Sequence, residues 1–383
     1  MNVNEAKAEV LRAGHELVEK GLVARTWGNA SCRIDENRFA ITPSGIAYDQ
    51  LTEDNIVVVT IDTLAYEGKI KPSSEKGIHA AAYRTSPETN FVIHTHQACA
   101  SAMSITGYAG GALTADEKEL LGGEIVFSAY GLPGTKKLRR NVERVLKKKG
   151  AANKTDTACE TGAAILMERH GALLVGSDRQ LAFLRAVLLE EICRRSMSYS
   201  PGFDITPEKT VYSRRIPDGF ILTQNGKESA YHGEDAIRGN TEMLHAVIYA
   251  VYPAFHFIAH YSSASVLAVM ENAKIMPAML DDFAQMVGTD VKIVRAQREN
   301  LTKAASLDAM NKLDGRNCVC VDGMGAVCCA GDETDCTALM MIIEKNALAC
   351  VHAGKSGQVK PLPLLDRSLM RFVYTHKYAK MKR

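Results

Sequence analysis

No pair of cysteines is separated by two intervening residues, the CxxC spacing, in the 383-residue chain, although it contains ten of them. That absence removes the common zinc-ribbon and thioredoxin-like signatures and leaves reduced thiols of a cytoplasmic protein. The one cluster, Cys318, Cys320, Cys328 and Cys329, has spacings too tight to chelate well. These four read as small apolar side chains on two strands. Charge of one sign is also missing. Forty-six Lys and Arg against 44 Asp and Glu leave a net charge of +2, which excludes a dedicated nucleic-acid or polybasic membrane binder. No uninterrupted apolar run reaches the ~18 residues of a bilayer span. The start, MNVNEAKAEVLRAG, has no signal-peptide core. Long disorder is unexpected at 46% hydrophobic and 23% charged residues. The length suggests two or three domains at ~100–200 residues each.

What is present is an internal repeat. Residues His79–Ala102 lie on His245–Ala268 without a gap, at a constant offset of 166, with eight of 24 positions identical. His79/His245, Tyr83/Tyr249, Phe91/Phe257 and His94/His260 are among them. A second block sets Gly171-Ala172 on Gly325-Ala326 and Asp178 on Asp332. The order is the same in both blocks, so the chain reads as two diverged copies of one domain. The junction falls near Ser200-Pro201-Gly202.

Each copy reads as mixed α/β. Val10, Leu11, Gly14, Leu17 and Val18 mark one face of a helix over 5–21. Strands are expected over 38–42, 55–62, 91–95 and 172–175, and a helix over 76–86. Leu181, Leu184, Val187, Leu188 and Ile192 form a stripe expected to face the core. Residues 136–149 are dense in Lys and Arg but carry Leu138, Val142, Val145 and Leu146 on one face. They read as a solvated helix with its apolar side packed down.

The chemistry-bearing residues begin with His94-Thr95-His96 in FVIHTHQ. Residues i and i+2 of a strand share a face, so both imidazoles can meet one metal ion. His170 follows at the start of a short strand, and Gly171 after it permits close backbone approach. Three histidines leave a fourth zinc position open, the catalytic arrangement. Pro72-Ser73-Ser74-Glu75 offers hydroxyls and amides at a helix start, where an anion or a simple cap are both served. Gly28-Asn29-Ala30-Ser31 and Thr42-Pro43-Ser44-Gly45 are further turn-like segments.

GNAS, TPSG, PSSE, HTH and RHG, in this order, together with AYGLPGTKKL, resemble the class II aldolase/adducin family over nearly all of residues 5–200. The resemblance implies an α/β fold, a three-layer α/β/α domain duplicated in tandem. Residues 1–200 would hold the intact metal site and residues 201–383 a degenerate copy. It implies that His94, His96 and His170 bind Zn2+ or another divalent metal. Glu75 would be the catalytic acid/base, and Asn29, Ser44, Gly45, Ser73 and Ser74 would cradle a substrate phosphate. The implied activity is that of a metal-dependent lyase acting on a small phosphorylated keto sugar through a metal-stabilised enediolate. Sugar-phosphate epimerase or dehydratase chemistry, and a non-catalytic adducin-like assembly role, are the alternatives. The implied partners are a sugar phosphate and further copies of the chain, as a dimer mimicking a four-domain ring or as a tetramer, with neither nucleic acid nor membrane.

Aldolase members also carry a catalytic tyrosine after the second histidine. This chain has residues 110–116, Gly-Gly-Ala-Leu-Thr-Ala-Asp, at that place, with Tyr108 and Asp116 close by. The basic, aromatic C-terminus offers Tyr374, His376 and Tyr378 instead, although it reads as a plain surface tail. In copy two His96 is matched by Ser262, Glu75 by Thr241 and His170 by Met324. FILTQNG faintly echoes FAITPSG, with Asn225 at the place of Ser44. Copy two is therefore expected to be a catalytically silent domain kept for assembly, the alternative being that it completes the active site of copy one.

Overall fold

Phe91–Thr95, five residues without a charge at the centre of the repeat, form a strand buried at every position. Around such strands the chain builds two units, Met1–Ser200 and Pro201–Arg383. The structure is a computed structural model that describes residues 1–23, 27–107, 112–152, 163–197, 211–233, 239–295, 303–357 and 359–378. The Ser200-Pro201-Gly202 junction lies outside the described residues.

In the first unit the order is α1 (Val3–Glu19), β1 (Asn29–Arg33), β2 (Arg38–Ile41), β3 (Val57–Thr60), α2 (Lys76–Thr85) and β4 (Phe91–Thr95). Then follow α3 (Ala98–Met103), α4 (Ala115–Leu121), β5 (Val126–Ser128), α5 (Lys136–Ala152), β6 (Ala163–Met167), β7 (Gly171–Gly176) and α6 (Arg179–Ser196). The sheet runs β3-β2-β1-β4-β7-β6-β5, antiparallel except for β5 with β6. One face packs Phe39, Ile41, Val59, Val92 and Leu173 against Ile78 of α2 and Leu138 and Val142 of α5. The basic helix thus turns its apolar side down, as expected. Helices α1 and α6 cover the other face, giving three layers.

The second unit has β8 (Val211–Ile216), β9 (Gly219–Gln224), β10 (Lys227–His232), α7 (Asn240–Val251), β11 (Phe257–Tyr261), α8 (Ala264–Asn272) and β12 (Ile275–Pro277). It continues with α9 (Asp281–Met286), β13 (Asp290–Val294), α10 (Lys303–Leu313), β14 (Cys318–Val321), β15 (Gly325–Ala330), α11 (Glu333–Ser356) and α12 (Leu364–Val373). Its sheet, β10-β9-β8-β11-β15-β14-β13-β12, repeats the first order and adds one edge strand. The register repeats as well. Phe91 pairs with Gly176 and Thr95 with Ala172, while Phe257 pairs with Ala330 and Tyr261 with Ala326. Asp178 and Asp332 each cap the following helix, accepting from Leu181 N and Asp335 N. The cysteine cluster lies on β14 and β15, all four side chains buried and reduced.

Three expectations are corrected. In α1 the buried face is Ala6, Val10, Ala13, Gly14 and Leu17, and Val18 is half exposed. In α6 the chosen stripe is mostly the outer one: Leu184 and Val187 are 52% and 44% exposed. The inner face uses Ala182, Phe183, Ala186, Leu189, Cys193 and, from the expected stripe, Ile192, small enough in part to bring the helix close to the sheet, plus a fully buried Arg185. Arg185 satisfies its charge on the carbonyls of Leu120 and Val175. The C-terminal segment is no loose tail. Arg367 binds Thr289 O, and Arg371 binds Gly315 O and Asn317 Oδ1, fastening α12 to its unit. Although no apolar run is unbroken, Glu333–Lys355 is long and apolar enough to cross a membrane; 72% of that stretch is buried in the protein. With Glu344, Lys345 and Asn346 buried at its middle, it is a core helix.

Candidate active site

Strand β4 delivers His94 to the α2 side of the sheet, the face on which its neighbour Val92 packs. His96 follows at the strand end, its amide bonded to Leu22 O at 3.0 Å. His170 comes from the tight turn between β6 and β7. There Arg169 takes φ 63°, a conformation costly for a residue with a side chain. Arg169 N donates to Ser104 Oγ at 3.0 Å. Gly171 is required next: a Cβ there would lie 2.2 Å from Thr95 O and 3.3 Å from His94 Cε1. Gly28, at φ 84°, approaches His94 O in the same way.

The three imidazoles converge. Ring centroids are 4.6 Å apart for His94 and His96, and 4.9 Å for His170 from each. One ligand atom from each lies within 4.8 Å of the others. All three side chains are buried, and this is the one such cluster among the described residues. The α2 N-cap, Glu75, reaches into it. Oε1 accepts from His170 Nε2 at 3.0 Å and Oε2 lies 3.2 Å from His94 Nε2. Asn29 Nδ2 donates to Oε2 at 3.3 Å.

The electrostatics favour a cation. His94 Nδ1 donates to Ala172 O at 2.9 Å, which leaves Nε2 as a lone pair. That nitrogen is buried and makes no hydrogen bond. Burial holds the His94 imidazole well below its ordinary pKa despite Glu75 beside it, so no proton fills the gap near neutrality. Burial opposes ionisation of Glu75, but the surrounding imidazoles, among them His170 donating to Oε1, hold its pKa well below the usual carboxylate range. Two electron-pair donors thus face each other at 3.2 Å in a buried site, which suits a divalent metal among imidazoles and a carboxylate.

The remaining expected residues divide. An isolated bridge between Pro43 and Pro72 sets Ser44-Gly45 beside Ser73-Ser74. Ser44 N donates to Lys71 O and Ser73 N to Thr42 O, and Ser73 Oγ accepts from Glu75 N at 3.2 Å. Ser74 and Gly45 are exposed. Asn29, by contrast, is buried between Glu75 and His79, whose Nε2 meets its Oδ1. Asp116 sits exposed in the first turn of α4. Tyr108 lies outside the described residues. His376 folds back on its own helix, with Nδ1 2.9 Å from Phe372 O.

Sequence reasoning missed the layer behind Glu75. Ser31 Oγ lies 2.6 Å from both His79 Nδ1 and Tyr83 OH. The second unit keeps this arrangement in Ser213, His245 and Tyr249. The signal was available: His79/His245 and Tyr83/Tyr249 are identities of the repeat. The rest of that site is gone. Met324 packs in the hydrophobic cluster, and Ser262 presses on Gly325. Asn225-Gly226, at φ 51° and 73°, makes a tight hairpin turn where copy one has its Ser44-Gly45 loop.

An L-ribulose-5-phosphate 4-epimerase, UlaF, of Salmonella paratyphi B is 32% identical over 198 residues, covering 50% of this chain and 84% of that protein. Among solved structures, YgbL of Klebsiella pneumoniae covers 53% of this chain and 93% of its own at 20% identity and a TM-score of 0.44. An L-fuculose 1-phosphate aldolase covers 50% and 84% at 27% identity and a TM-score of 0.41. The model of the class II aldolase and adducin N-terminal domain matches residues 8–197 and again residues 195–351. The chain belongs to the class II aldolase and adducin N-terminal domain family and carries that domain twice in tandem.

Proposed function

We propose that the first unit is a metal-dependent carbon–carbon lyase acting on a small phosphorylated keto sugar. The observation that carries this reading is the Glu75 carboxylate facing the unbonded Nε2 of His94 within a buried three-histidine cluster. His94, His96 and His170 would hold the metal, zinc being the natural choice for three imidazoles. When bound, it supplies Lewis acidity toward the carbonyl and hydroxyl oxygens of the substrate. For His170 to offer its Nε2 lone pair to a metal, the neutral ring would carry its proton on Nδ1 instead. Glu75 moves the proton of the reaction at Oε2, the oxygen that faces His94 and is oriented by Asn29. The hydroxyls of Ser44 and Ser74 serve the phosphate, since the amides of Ser44 and Ser73 are spent on backbone carbonyls.

A 4-epimerase is the second reading, favoured by the likeness to UlaF. Both reactions work on a ketose phosphate and differ in whether an aldehyde fragment leaves. Metal-replete protein, incubated with a panel of ketose phosphates and assayed for aldehyde release and epimer formation, separates them. No turnover of any phosphorylated ketose by metal-loaded protein would favour the assembly role.

A further inference from the structure

The two units contain the same experiment with opposite outcomes. In each, a histidine of the helix before the central strand is held at Nδ1 by a serine of the first strand: Ser31 with His79 at 2.6 Å, Ser213 with His245 at 2.7 Å. The Nε2 atoms of those two histidines go to different partners. His79 is taken by Asn29 Oδ1, and His94 Nε2 is left without a hydrogen bond. His245 instead lies 2.9 Å from Nε2 of His260, the counterpart of His94.

Two positions beside these rings differ: Thr241 stands for Glu75, and the place of Asn29 is the one that decides the partner of the helix histidine. Ser31 pairs with Val92 and Asn29 with His94 across β1 and β4. Ser213 pairs with Ile258 across β8 and β11, which puts Val211, two residues before Ser213, where Asn29 stands. A valine side chain has no acceptor, and the His245 nitrogen lies against the His260 imidazole instead. Whichever ring donates, the bond consumes the Nε2 lone pair of His260, as a donor's proton or as an acceptor's electrons. Glu75 on His170 is not an equivalent block, because a carboxylate beside a cation attracts it.

We propose that Asn29 is a positioning residue that keeps the His94 lone pair open by capturing His79, and that its loss converts the site to the closed form seen in copy two. The inference rests on the reading that the triad holds a metal. It assigns Asn29 a task other than cradling phosphate.

The test is zinc binding measured by calorimetry on the full chain, with folding checked by circular dichroism. Asn29→Val should weaken zinc on the order of 10–100-fold, the usual worth of a ligand-orienting partner. Asn29→Val with His79→Leu should recover affinity, because no ring is left to pair with His94. His79→Leu alone should bind as wild type. A folded Asn29→Val that binds zinc like wild type overturns the proposal. So does a double variant that stays weak. If Asn29→Val does not fold, His79→Leu decides: zinc loss in that folded variant means His79 supports the site rather than threatening it. Absence of zinc binding by wild type would remove the metal reading itself, and this inference with it.

Discussion

Glu75 is the residue on which the proposed chemistry turns. It stands at the N-cap position of α2, where its side chain makes no capping bond, and it faces the histidine cluster. Replacing the carboxylate by an amide keeps the shape and the Asn29 contact but removes the proton carrier. Glu75→Gln should fold and retain metal while turnover falls roughly 10²–10⁴-fold. Unchanged turnover would leave Glu75 no part in the proton transfer. The buried His79 gives a second, independent expectation. Burial pushes its pKa from 6.5 down to about 3. Between those values the unfolded chain binds a proton that the folded chain refuses. The stability tied to neutral His79 is full above pH 6.5 and drains as pH falls toward 3, at about 1.4 kcal/mol per pH unit. Urea titrations of metal-free protein at pH 7 and pH 5 should show a smaller loss for His79→Leu than for wild type; equal losses would contradict it. The sequence made His94 and His96 legible because strand periodicity alone puts them on one face. His170 was a candidate third ligand from its place before a short strand, but its nearness to the pair, and the role of Glu75, were readable only through the order of family motifs. The Asn29–His79 contact was not readable, since it spans 50 residues and no local spacing encodes a contact made by folding β1 against α2.

At the scale of elements, the central strands allow no freedom where they carry the ligands. Strand β7 passes so close to β4 that Gly171 has no room for a methyl group, which would meet Thr95 O at 2.2 Å. Backbone cannot yield there without opening the Thr95–Ala172 pairing. Gly171→Ala should therefore destabilise the first unit by about 1–3 kcal/mol and weaken metal binding, both measurable in one thermal-shift series with and without zinc. A variant as stable as wild type would show that β7 can shift. Strands such as Phe91–Thr95 were legible to the residue, because a short uncharged β-branched run between turns has few other solutions. Helix faces were less so. The α6 stripe Leu184–Val187 looked like core because large aliphatics outweigh small ones in any periodicity argument. The sheet instead selected alanines and a cysteine, and a buried arginine sits where the pattern calls for an apolar residue.

For the whole molecule, the duplication poses a stoichiometric question. Both units keep the sheet order, the paired register, the capping aspartates and the Ser-His-Tyr group behind the site. These are features of folding, and they survive in both. The metal-competent cluster is found once among the described residues. In the second unit His260 is bonded to His245, Ser262 lies against Gly325 and Met324 is part of the core. A single histidine, already engaged, binds zinc weakly and exchangeably, whereas three converging imidazoles hold it through dialysis. One tightly bound divalent metal per chain is therefore expected from elemental analysis of dialysed protein. His96→Ala should release it, because a two-histidine remnant lacks the third ligand. His260→Ala should leave the count at one, because that ring faces His245 rather than a cation. Two metals per chain in wild type, or loss on His260→Ala, would mean that the second unit binds metal in an arrangement its described residues do not form.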